Sequence, residues 1–319
     1  MADGWGFDVE VAEYAPVGGG SYHWVVNDGR GERRFVTVDD LDTKPWLGDT
    51  RDCAFDGLRR AFDTAVALRD AGLEFVVAPI RAGGGATLRR IGPRYAIALL
   101  PFVNGQAGQY GHYEPATHAA VVSMLSELHQ ATAAVAPLAR SIDLELPGRR
   151  RLEEALRAVN EAWSGGPFSE PARQALAHHA TDVSELLGLF DRLSAEVASR
   201  SRNWVVTHGE PHAANVISEG ERHALVDWDT VALAPPERDL WILAGDDAGD
   251  LGASYTDTTG HTPDQAALDF FRLRWDLADI AAFTNVLRSP HIEDADTAKA
   301  YDGLTICLAT RDRWAPLLA

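Results

Sequence analysis

Hydrophobic and polar residues alternate through much of the first hundred positions, as they do in half-buried strands. Residues 8–14 follow this pattern, and two further β-rich runs flank the turn Asn27-Asp-Gly-Arg-Gly31. A turn of that composition between two such runs predicts a hairpin. In this half of the chain the pattern predicts strands at residues 8–14, 22–26, 34–38, 74–80, 87–91 and 95–100.

One stretch among these strands has the period of a helix instead. Between Arg51 and Ala71 the apolar residues recur at spacings of three and four, and Gly72 follows them. This spacing predicts one amphipathic helix that ends at the glycine. A glycine-rich turn, Val17-Gly-Gly-Gly-Ser21, separates the first two predicted strands.

The composition changes at Pro101-Phe-Val-Asn-Gly105, and we place a lobe boundary there. Residues 1–103 then form a strand-rich N-terminal lobe, and residues 104–319 form a mainly helical C-terminal lobe. The fold class is α+β, and a chain of 319 residues is long enough for two such lobes. Helices are predicted in the second lobe at residues 115–135, 149–163, 170–200, 265–287 and 297–309.

Three short strands interrupt the helical lobe, at residues 204–207, 216–218 and 223–227. The polar loop His208-Gly-Glu-Pro-His-Ala-Ala-Asn215 separates the first from the second, and Asp227-Trp-Asp229 follows the third. Polar and charged residues that gather at strand ends inside a helical region mark a candidate site for chemistry.

Oxygen donors occur at both ends of this predicted hairpin. Because a hairpin brings its two ends together, Asn215 and Asp227 can converge on one point. One carboxylate and one amide oxygen, with room for water and phosphate oxygens, suit a hard cation such as Mg²⁺. Glu210 would lie beside that cation and could orient a hydroxyl group.

A zinc site fits the same loop less well. The histidines of the loop read H-x-E-x-H from His208 to His212, whereas the zincin pattern is H-E-x-x-H. The deaminase signature needs a Cys-x-x-Cys pair, and Cys53 and Cys307 have no neighbouring cysteine. We expect His208 to hold the loop by hydrogen bonds.

The net charge of the chain argues against some classes of binding partner. The sequence has 29 basic and 47 acidic residues, a net charge of −18. So acidic a chain is a poor binder of nucleic acid or of an anionic membrane, and it suits a cationic small molecule, although acidity also serves solubility. The longest nearly apolar stretch is too short to span a bilayer, and no basic leader is visible, so we expect a cytoplasmic protein.

The loop and hairpin, His208 to Asn215 followed by Val226-Asp-Trp-Asp229, resemble the catalytic and metal-binding segments of the aminoglycoside phosphotransferase family. The segment Leu125-Ser-Glu-Leu-His129 is similar to the helix that leads into the C-terminal lobe of that family. These small-molecule kinases have a protein-kinase-like fold. The resemblance implies a bilobal protein: an antiparallel sheet plus one helix in the N-lobe, and a helical C-lobe with an inserted catalytic and metal-binding hairpin.

The resemblance also implies roles for individual residues. Glu210 takes the position of the catalytic-loop carboxylate that accepts or orients the hydroxyl proton, and Asn215 and Asp227 take those of the Mg²⁺ ligands. ATP or GTP would be the co-substrate. The residues expected to bind it are Gly19, Gly20, Ser21 and Tyr22 of the glycine-rich turn, Lys44, and Leu100, Phe102 and Val103 of the segment between the lobes.

Two residues depart from the family pattern. The family has the shorter aspartate at the position of Glu210, and a kinase has its phosphate-binding lysine on the third strand, where this chain has Thr37. Lys44 is the only lysine nearby, and we expect it to fold back onto the phosphates. Arg59 or Arg60 could serve instead, and Lys44 could equally be a surface residue.

We therefore expect an enzyme that transfers the γ-phosphate of ATP or GTP to a hydroxyl group of a small molecule. An antibiotic of the aminoglycoside or nucleoside type is the favoured acceptor, with resistance as the result. The acceptor pocket is expected to include Asp229 and Asp276. Two alternatives stay open: a metabolite kinase of the choline- or sugar-kinase type, and a catalytically silent nucleotide-binding module.

Overall fold

A computed structural model describes residues 1–17, 21–111, 113–200, 203–244 and 249–318. The strands are β1 Val9–Ala15, β2 Ser21–Asp28, β3 Arg33–Asp40, β4 Arg89–Ile91, β5 Tyr95–Pro101, β6 Gln106–Ala107, β7 Val205–Thr207, β8 Val216–Glu219, β9 Arg222–Leu225 and β10 Ala232–Ala234. The helices are α1 Ala2–Trp5, α2 Arg51–Asp70, α3 Pro115–Gln130, α4 Thr132–Val135, α5 Arg149–Arg157, α6 Ser169–His178, α7 Ala180–Arg200, α8 Glu237–Ala244, α9 Gly249–Thr259, α10 Gln265–Arg288, α11 Ala295–Leu308 and α12 Arg311–Leu318.

The chain divides into two compact units, each made of two segments. Residues Met1–Ile142 and Asn203–Pro263 form the first unit, and residues Asp143–Arg202 and Asp264–Ala319 form the second. The first unit therefore contains both the N-terminal sheet and the loop and hairpin of interest. The boundary that we place after residue 103 is not tested by this division and stays a prediction.

A five-stranded antiparallel sheet with the order β1-β2-β3-β5-β4 opens the first unit. Helix α2 packs its apolar side on this sheet, where Leu58 and Phe62 join Ala96 and Ala98 of β5 in one buried cluster. The helix begins at the N-cap Thr50, which accepts a hydrogen bond from the backbone of Cys53. The predicted antiparallel sheet with one helix is confirmed.

The strand predicted at residues 74–80 is wrong. Residues 75–79 are buried, but residues 74 and 75 lie in a turn and the segment pairs only through an isolated parallel bridge between Val76 and Leu225. That bridge consists of the bonds from Val77 N–H to Leu225 and from Leu225 N–H to Phe75, whereas Ile80 donates to Leu99 of β5. Pro79 cannot donate a ladder hydrogen bond, which is consistent with a connecting segment rather than a strand of the sheet.

Several helices that the periodicity predicts in the rest of the chain are divided or shorter in the structure. The stretch predicted over residues 115–135 is two helices, α3 and α4, and the stretch over 170–200 is interrupted at His179 between α6 and α7. Helix α5 ends at Arg157, six residues before the expected end at Trp163. No described helix is both long and apolar enough to cross a membrane.

The second unit is built around α10, which packs against α5, α7 and α11. The C-terminal helix α12 is tied to it by two hydrogen bonds to Asp276: the Trp314 indole donates over 3.0 Å and the Arg313 guanidinium over 3.4 Å. One turn further along α10, burial, together with the charge of Asp276, raises the pKa of Asp279 to about 6.

We expect Asp279→Asn to stabilise the protein at neutral and higher pH. A folded-state pKa of about 6, above the ordinary 3.8, means that the stability lost through this carboxylate builds up between about pH 4 and pH 6 and is complete above pH 6. The gain is about 1–3 kcal/mol at pH 8, since 1.36 kcal/mol corresponds to one pKa unit and solvent screens a partly exposed group. It shrinks as the pH falls through 6 and vanishes below about 4, where folded and unfolded chains are both protonated.

Urea unfolding of both proteins between pH 4 and pH 8 measures this gain. Asp302→Asn on the exposed side of α11 is the matched control, and its stability should follow that of the wild type at every pH. A gain that did not change with pH would contradict the assignment to the Asp279 carboxylate.

Candidate active site

The hairpin of β8 and β9 brings the two predicted cation ligands to the same end. Val216 pairs with Leu225, and the backbone N–H of Val226 donates to the carbonyl of Asn215 over 3.0 Å. Asn215 therefore lies across from Val226, and Asp227 is the next residue along. The carboxylate of Glu210 acts electrostatically on that of Asp227, so the three side chains share one region of the first unit.

The amide of Asn215 is oriented by its nitrogen. Nδ2 donates to the carbonyl of Glu210 over 2.9 Å and lies 3.3 Å from Nε2 of His212. Because the nitrogen is committed to these partners, Oδ1 is the atom of this amide that remains to coordinate a cation.

Asp227 is held in a conformation that few residues adopt. Its φ of 68° and ψ of 60° lie in the left-handed region, and it is the only residue other than glycine with a positive φ in the described ranges. Such strain persists only where surrounding contacts enforce it, and it concentrates at functional sites. Burial and the charges of Asp229 and Glu210 raise the pKa of Asp227.

Lys44 is buried beside this cluster, with 2% of its side chain exposed. Its Nζ lies 2.7 Å from Asp229 and 2.9 Å from Asp39 at the end of β3. Although burial disfavours the charged form, the attraction of Asp229 and Asp39 outweighs it and raises the pKa of Lys44. The alternative of a surface lysine is therefore wrong, while its contact with phosphate stays a prediction.

The two arginines considered beside Lys44 are engaged elsewhere. Arg59 pairs with Asp56 and Asp63 along the exposed side of α2. The guanidinium of Arg60 donates to the carbonyls of residues 138 and 139. Neither arginine has a contact with the acidic cluster around Asp227, which leaves Lys44 as the ammonium that faces it.

The predicted loop-holding role of His208 is confirmed. Its Nε2 lies 2.9 Å from the carbonyl of Val226, and its Nδ1 accepts from the backbone N–H of Glu210 over 3.2 Å. Burial lowers the pKa of His208 to about 4, so the ring is neutral at pH 7. With both nitrogens bonded to the backbone, the ring ties the loop of residues 208–215 to the segment that carries Asp227.

Asp239 of α8 fixes the start of the same loop. Its carboxylate accepts from the backbone N–H groups of His208 over 2.8 Å and Gly209 over 2.6 Å. His129 of α3 adds a third contact at 3.1 Å, and its other ring nitrogen lies 2.6 Å from the hydroxyl of Tyr255. The carboxylate of Asp239 therefore holds the start of the loop through these three groups.

Arg238 closes the loop from the other side, and it requires a glycine there. Its buried guanidinium donates to Thr207 over 2.7 Å and to the carbonyl of Thr230 over 2.9 Å. Gly209 has a φ of +100°, and a Cβ atom at this position would lie 2.1 Å from that guanidinium. A side chain at Gly209 would therefore displace the loop that carries Glu210.

The predicted nucleotide-binding residues are placed as follows. Gly19 and Gly20 lie outside the described residues, Ser21 and Tyr22 begin β2, and Leu100 lies near the end of β5. Phe102 and Val103 follow β5, and the guanidinium of Arg33 lies 3.9 Å from the centre of the Phe102 ring. The hydroxyl of Ser21 donates to Asp39 over 2.6 Å, so Ser21 contacts the same carboxylate as Lys44.

The two residues expected to line an acceptor pocket already have partners within the protein. Asp229 pairs with Lys44, and Asp276 belongs to the second unit, where it accepts from Trp314 and Arg313. These contacts occupy both carboxylates.

Three residues of this network escape the sequence analysis: His23, Asp39 and His129. Of these, His129 contacts residues distant along the chain, Asp239 and Tyr255, which no local pattern reveals. The signal for Asp39 is a carboxylate at the end of a predicted strand, and that for His23 is its position opposite Thr37 in the predicted hairpin.

The donor set suits a divalent cation that its substrate helps to hold. One carboxylate and one amide oxygen are too few to bind such an ion alone, and within the described ranges no three His, Cys, Asp or Glu side chains are arranged to hold a metal. A hard cation takes six or more oxygen ligands, so phosphate and water oxygens would complete the shell. The excess of carboxylates around Asp227 favours a cation there.

Comparison with known proteins finds a matching family and a related protein. A model of the phosphotransferase enzyme family matches residues 14–275. Protein StrN of Streptomyces griseus is 27% identical over 271 residues, which cover 82% of this chain and 79% of StrN.

Solved structures of kinases share the fold. The spectinomycin phosphotransferase APH(9)-Ia, in complex with ADP and spectinomycin, has a TM-score of 0.75 at 15% identity, over 98% of this chain and 96% of that one. The amicoumacin kinase hAmiN, in complex with AMP-PNP, Ca²⁺ and Ami, has a TM-score of 0.64 at 13% identity, over 98% and 91% of the two chains. The predicted kinase-like fold is confirmed.

Proposed function

The chain belongs to the phosphotransferase enzyme family and is a small-molecule kinase, and from this premise we propose that it transfers the γ-phosphate of ATP or GTP to a hydroxyl group of an antibiotic. The observation that carries the proposal is the meeting of Asn215 and Asp227 at one end of the β8–β9 hairpin, within electrostatic reach of Glu210.

We propose an acceptor of the aminoglycoside or nucleoside type, and phosphorylation would then confer resistance. Structural neighbours of this chain are a spectinomycin phosphotransferase and an amicoumacin kinase. The net charge of −18 favours a cationic acceptor, because an acidic surface attracts it over long range. A metabolite kinase of the choline- or sugar-kinase type would use the same catalytic residues.

Glu210 would orient the acceptor hydroxyl from a main chain that is held in place. Its backbone N–H donates to His208 and its carbonyl accepts from Asn215, so the main chain is held on both sides of the side chain. Phosphoryl transfer depends mainly on positioning and charge neutralisation, which makes this rigidity more important than the basicity of the carboxylate.

Asn215 and Asp227 would hold a Mg²⁺ ion, which when bound neutralises the charge of the β- and γ-phosphates. The ion pairs of Lys44 with Asp39 and Asp229 keep the segment around Asp227 in place. The glycine-rich turn before Ser21 would supply backbone N–H donors to the phosphates.

A phosphorylation screen with the purified protein tests this function. The panel would contain aminoglycoside, aminocyclitol, nucleoside and macrolide antibiotics together with choline and simple sugars, each with Mg²⁺ and either ATP or GTP. Mass spectrometry should detect one antibiotic that gains a single phosphoryl group. Transfer to choline or a sugar alone would replace the antibiotic by a metabolite as the acceptor.

We expect Glu210→Gln to lower kcat by about 10²-fold or more while the affinity for nucleotide changes little, because the amide is of similar size but cannot accept the hydroxyl proton. Steady-state kinetics and calorimetric titration with ATP measure the two quantities. A variant that turned over at the wild-type rate would remove Glu210 from the reaction.

Membership of this family argues against the alternative of a catalytically silent nucleotide-binding module, which the uncharged Thr37 and the glutamate at position 210 suggest. Melting curves with ATP and Mg²⁺ distinguish the two. Stabilisation by nucleotide without transfer to any member of the panel would favour the silent module.

A further inference from the structure

Thr37 on β3 leaves a charge missing from the proposed nucleotide site. A kinase places its phosphate-binding lysine on this strand. Thr37 has a hydroxyl at that position. The ammonium group of Lys44 lies nearby, but it is paired with Asp39 and Asp229. A further donor for the phosphates is therefore to be found among the neighbours of Thr37.

His23 lies directly across from Thr37 on the neighbouring strand. The two residues are register partners in the antiparallel pairing of β2 with β3, so their side chains share one face of the sheet. The hydroxyl of Thr37 and Nδ1 of His23 are 2.7 Å apart. The ring also stacks on Phe35, two residues before Thr37, with the ring centres 5.2 Å apart.

The same face connects His23 to the acidic cluster. Ser21, two residues before it on β2, donates to Asp39, and Asp39 pairs with Lys44. The charged groups that act on the imidazole are Asp39 of β3, Lys44 after β3, and Asp229 next to the hairpin. Burial lowers the pKa of His23, partly offset by Asp39, so the ring is neutral at pH 7.

The hydrogen bond with Thr37 uses only one nitrogen of the ring. When the Thr37 hydroxyl donates to Nδ1, the proton of the neutral imidazole resides on Nε2. Nε2 is then an N–H donor, and it has no partner within the described residues. With the Thr37 hydroxyl as the donor to Nδ1, the imidazole thus provides an oriented N–H donor one strand away from Thr37.

We propose that His23 binds a phosphate group of the nucleotide through Nε2–H, and that Thr37 is the positioning residue that sets its tautomer. This inference rests on the proposed function, because it assumes a nucleoside triphosphate in the site. It divides the task of the strand lysine between two residues: Lys44 balances the carboxylates and His23 contacts the phosphates.

His23→Phe tests the contact, because phenylalanine keeps a ring to stack on Phe35 and removes the donor. We expect it to weaken ATP binding about 10- to 100-fold, the value of a hydrogen bond to a charged group, and to leave adenosine binding unchanged. His23→Gln retains an N–H donor and should recover part of the loss. Titration calorimetry with ATP, ADP and adenosine in the presence of Mg²⁺ measures these affinities.

Thr37→Val keeps the shape of the side chain and removes the hydroxyl that sets the tautomer. We expect weaker ATP binding than in the wild type, with unchanged adenosine binding. In the wild type, ATP affinity should rise as the pH falls from 8 to 6, relative to His23→Phe, because a bound phosphate favours the protonated imidazole. A purely structural role for His23 would not produce this difference in pH dependence.

The outcomes separate the inference from the function beneath it. A wild-type protein that does not bind ATP would overturn the proposed function. A wild-type protein that binds ATP while His23→Phe binds it equally well would overturn the inference alone. Equal losses of ATP and adenosine binding in both His23→Phe and Thr37→Val would indicate damage to the sheet, and would also count against a phosphate contact.

Discussion

The variant Asp227→Asn is expected to lower kcat on the order of 10³-fold and, at the same time, to raise the melting temperature of the metal-free protein. The carboxylate is buried against Asp229 and Glu210, and Lys44 is already shared between two other carboxylates. Without a cation, the charge at position 227 therefore opposes folding. An amide removes that charge and with it the carboxylate that we propose as a ligand of the cation.

Asparagine is chosen so that the substitution removes the charge without straining the backbone at position 227. Asp227 has a left-handed conformation, and asparagine is one of the few residues that tolerate it. Asp227→Ala would lose this tolerance, so its effect on stability would combine the removal of charge with added strain. Comparing the two variants separates the electrostatic cost from the conformational one.

Scanning calorimetry in the presence of EDTA and steady-state kinetics with Mg²⁺ measure the two effects of Asp227→Asn. Asp302→Asn on α11 removes an exposed carboxylate and should change neither quantity. Loss of activity together with loss of stability would show that the carboxylate is part of the structural core. Activity near the wild-type level would show that the cation is held elsewhere.

The sequence predicts those parts of this protein whose causes are local. Helix α2 follows from its apolar spacing and its terminal glycine, and the β2–β3 hairpin follows from the composition of its turn. The meeting of Asn215 and Asp227 is local in the same sense, because a hairpin of about ten residues joins them. Short-range geometry is enough to identify this end of the site.

What the sequence does not predict depends on contacts between distant residues. Residues 74–80 have the apolar character of a strand. Their backbone groups instead bond to β9 and to β5, and this depends on where the fold places those two strands. The side chain of Lys44 reaches Asp229, 185 residues away along the chain. His129 and Asp239, which together hold the start of the loop of residues 208–215, are 110 residues apart.

This distinction also explains why the sequence left the position of Lys44 open. A lone lysine in a turn is usually exposed, and its local sequence, Asp42-Thr-Lys-Pro-Trp46, contains no sign of burial. Burial follows from the two carboxylates that the fold brings to it. The attraction of carboxylates on other elements, rather than the local sequence, determines where the ammonium group of Lys44 lies.

Lys44→Ala is accordingly expected to reduce both stability and catalysis. Asp39 and Asp229 would lose their shared counter-ion, and Oδ2 of Asp39 already lacks a hydrogen-bond partner in the buried cluster. Removal of one partner from a buried ion pair costs about 3–5 kcal/mol. Since the cluster adjoins Asp227, we also expect kcat to fall, or KM for the nucleotide to rise, by about tenfold or more.

The double variant Lys44→Met with Asp229→Asn distinguishes the two contributions of the lysine. It removes one charge of each sign, so urea unfolding should show part of the lost stability restored. If Lys44 serves only as a counter-ion, the KM for ATP recovers together with stability. If Lys44 also reaches the phosphates, stability recovers while KM remains high. A Lys44→Ala enzyme with wild-type stability and kinetics would remove Lys44 from the site altogether, because a buried ammonium between two carboxylates cannot be deleted without consequence.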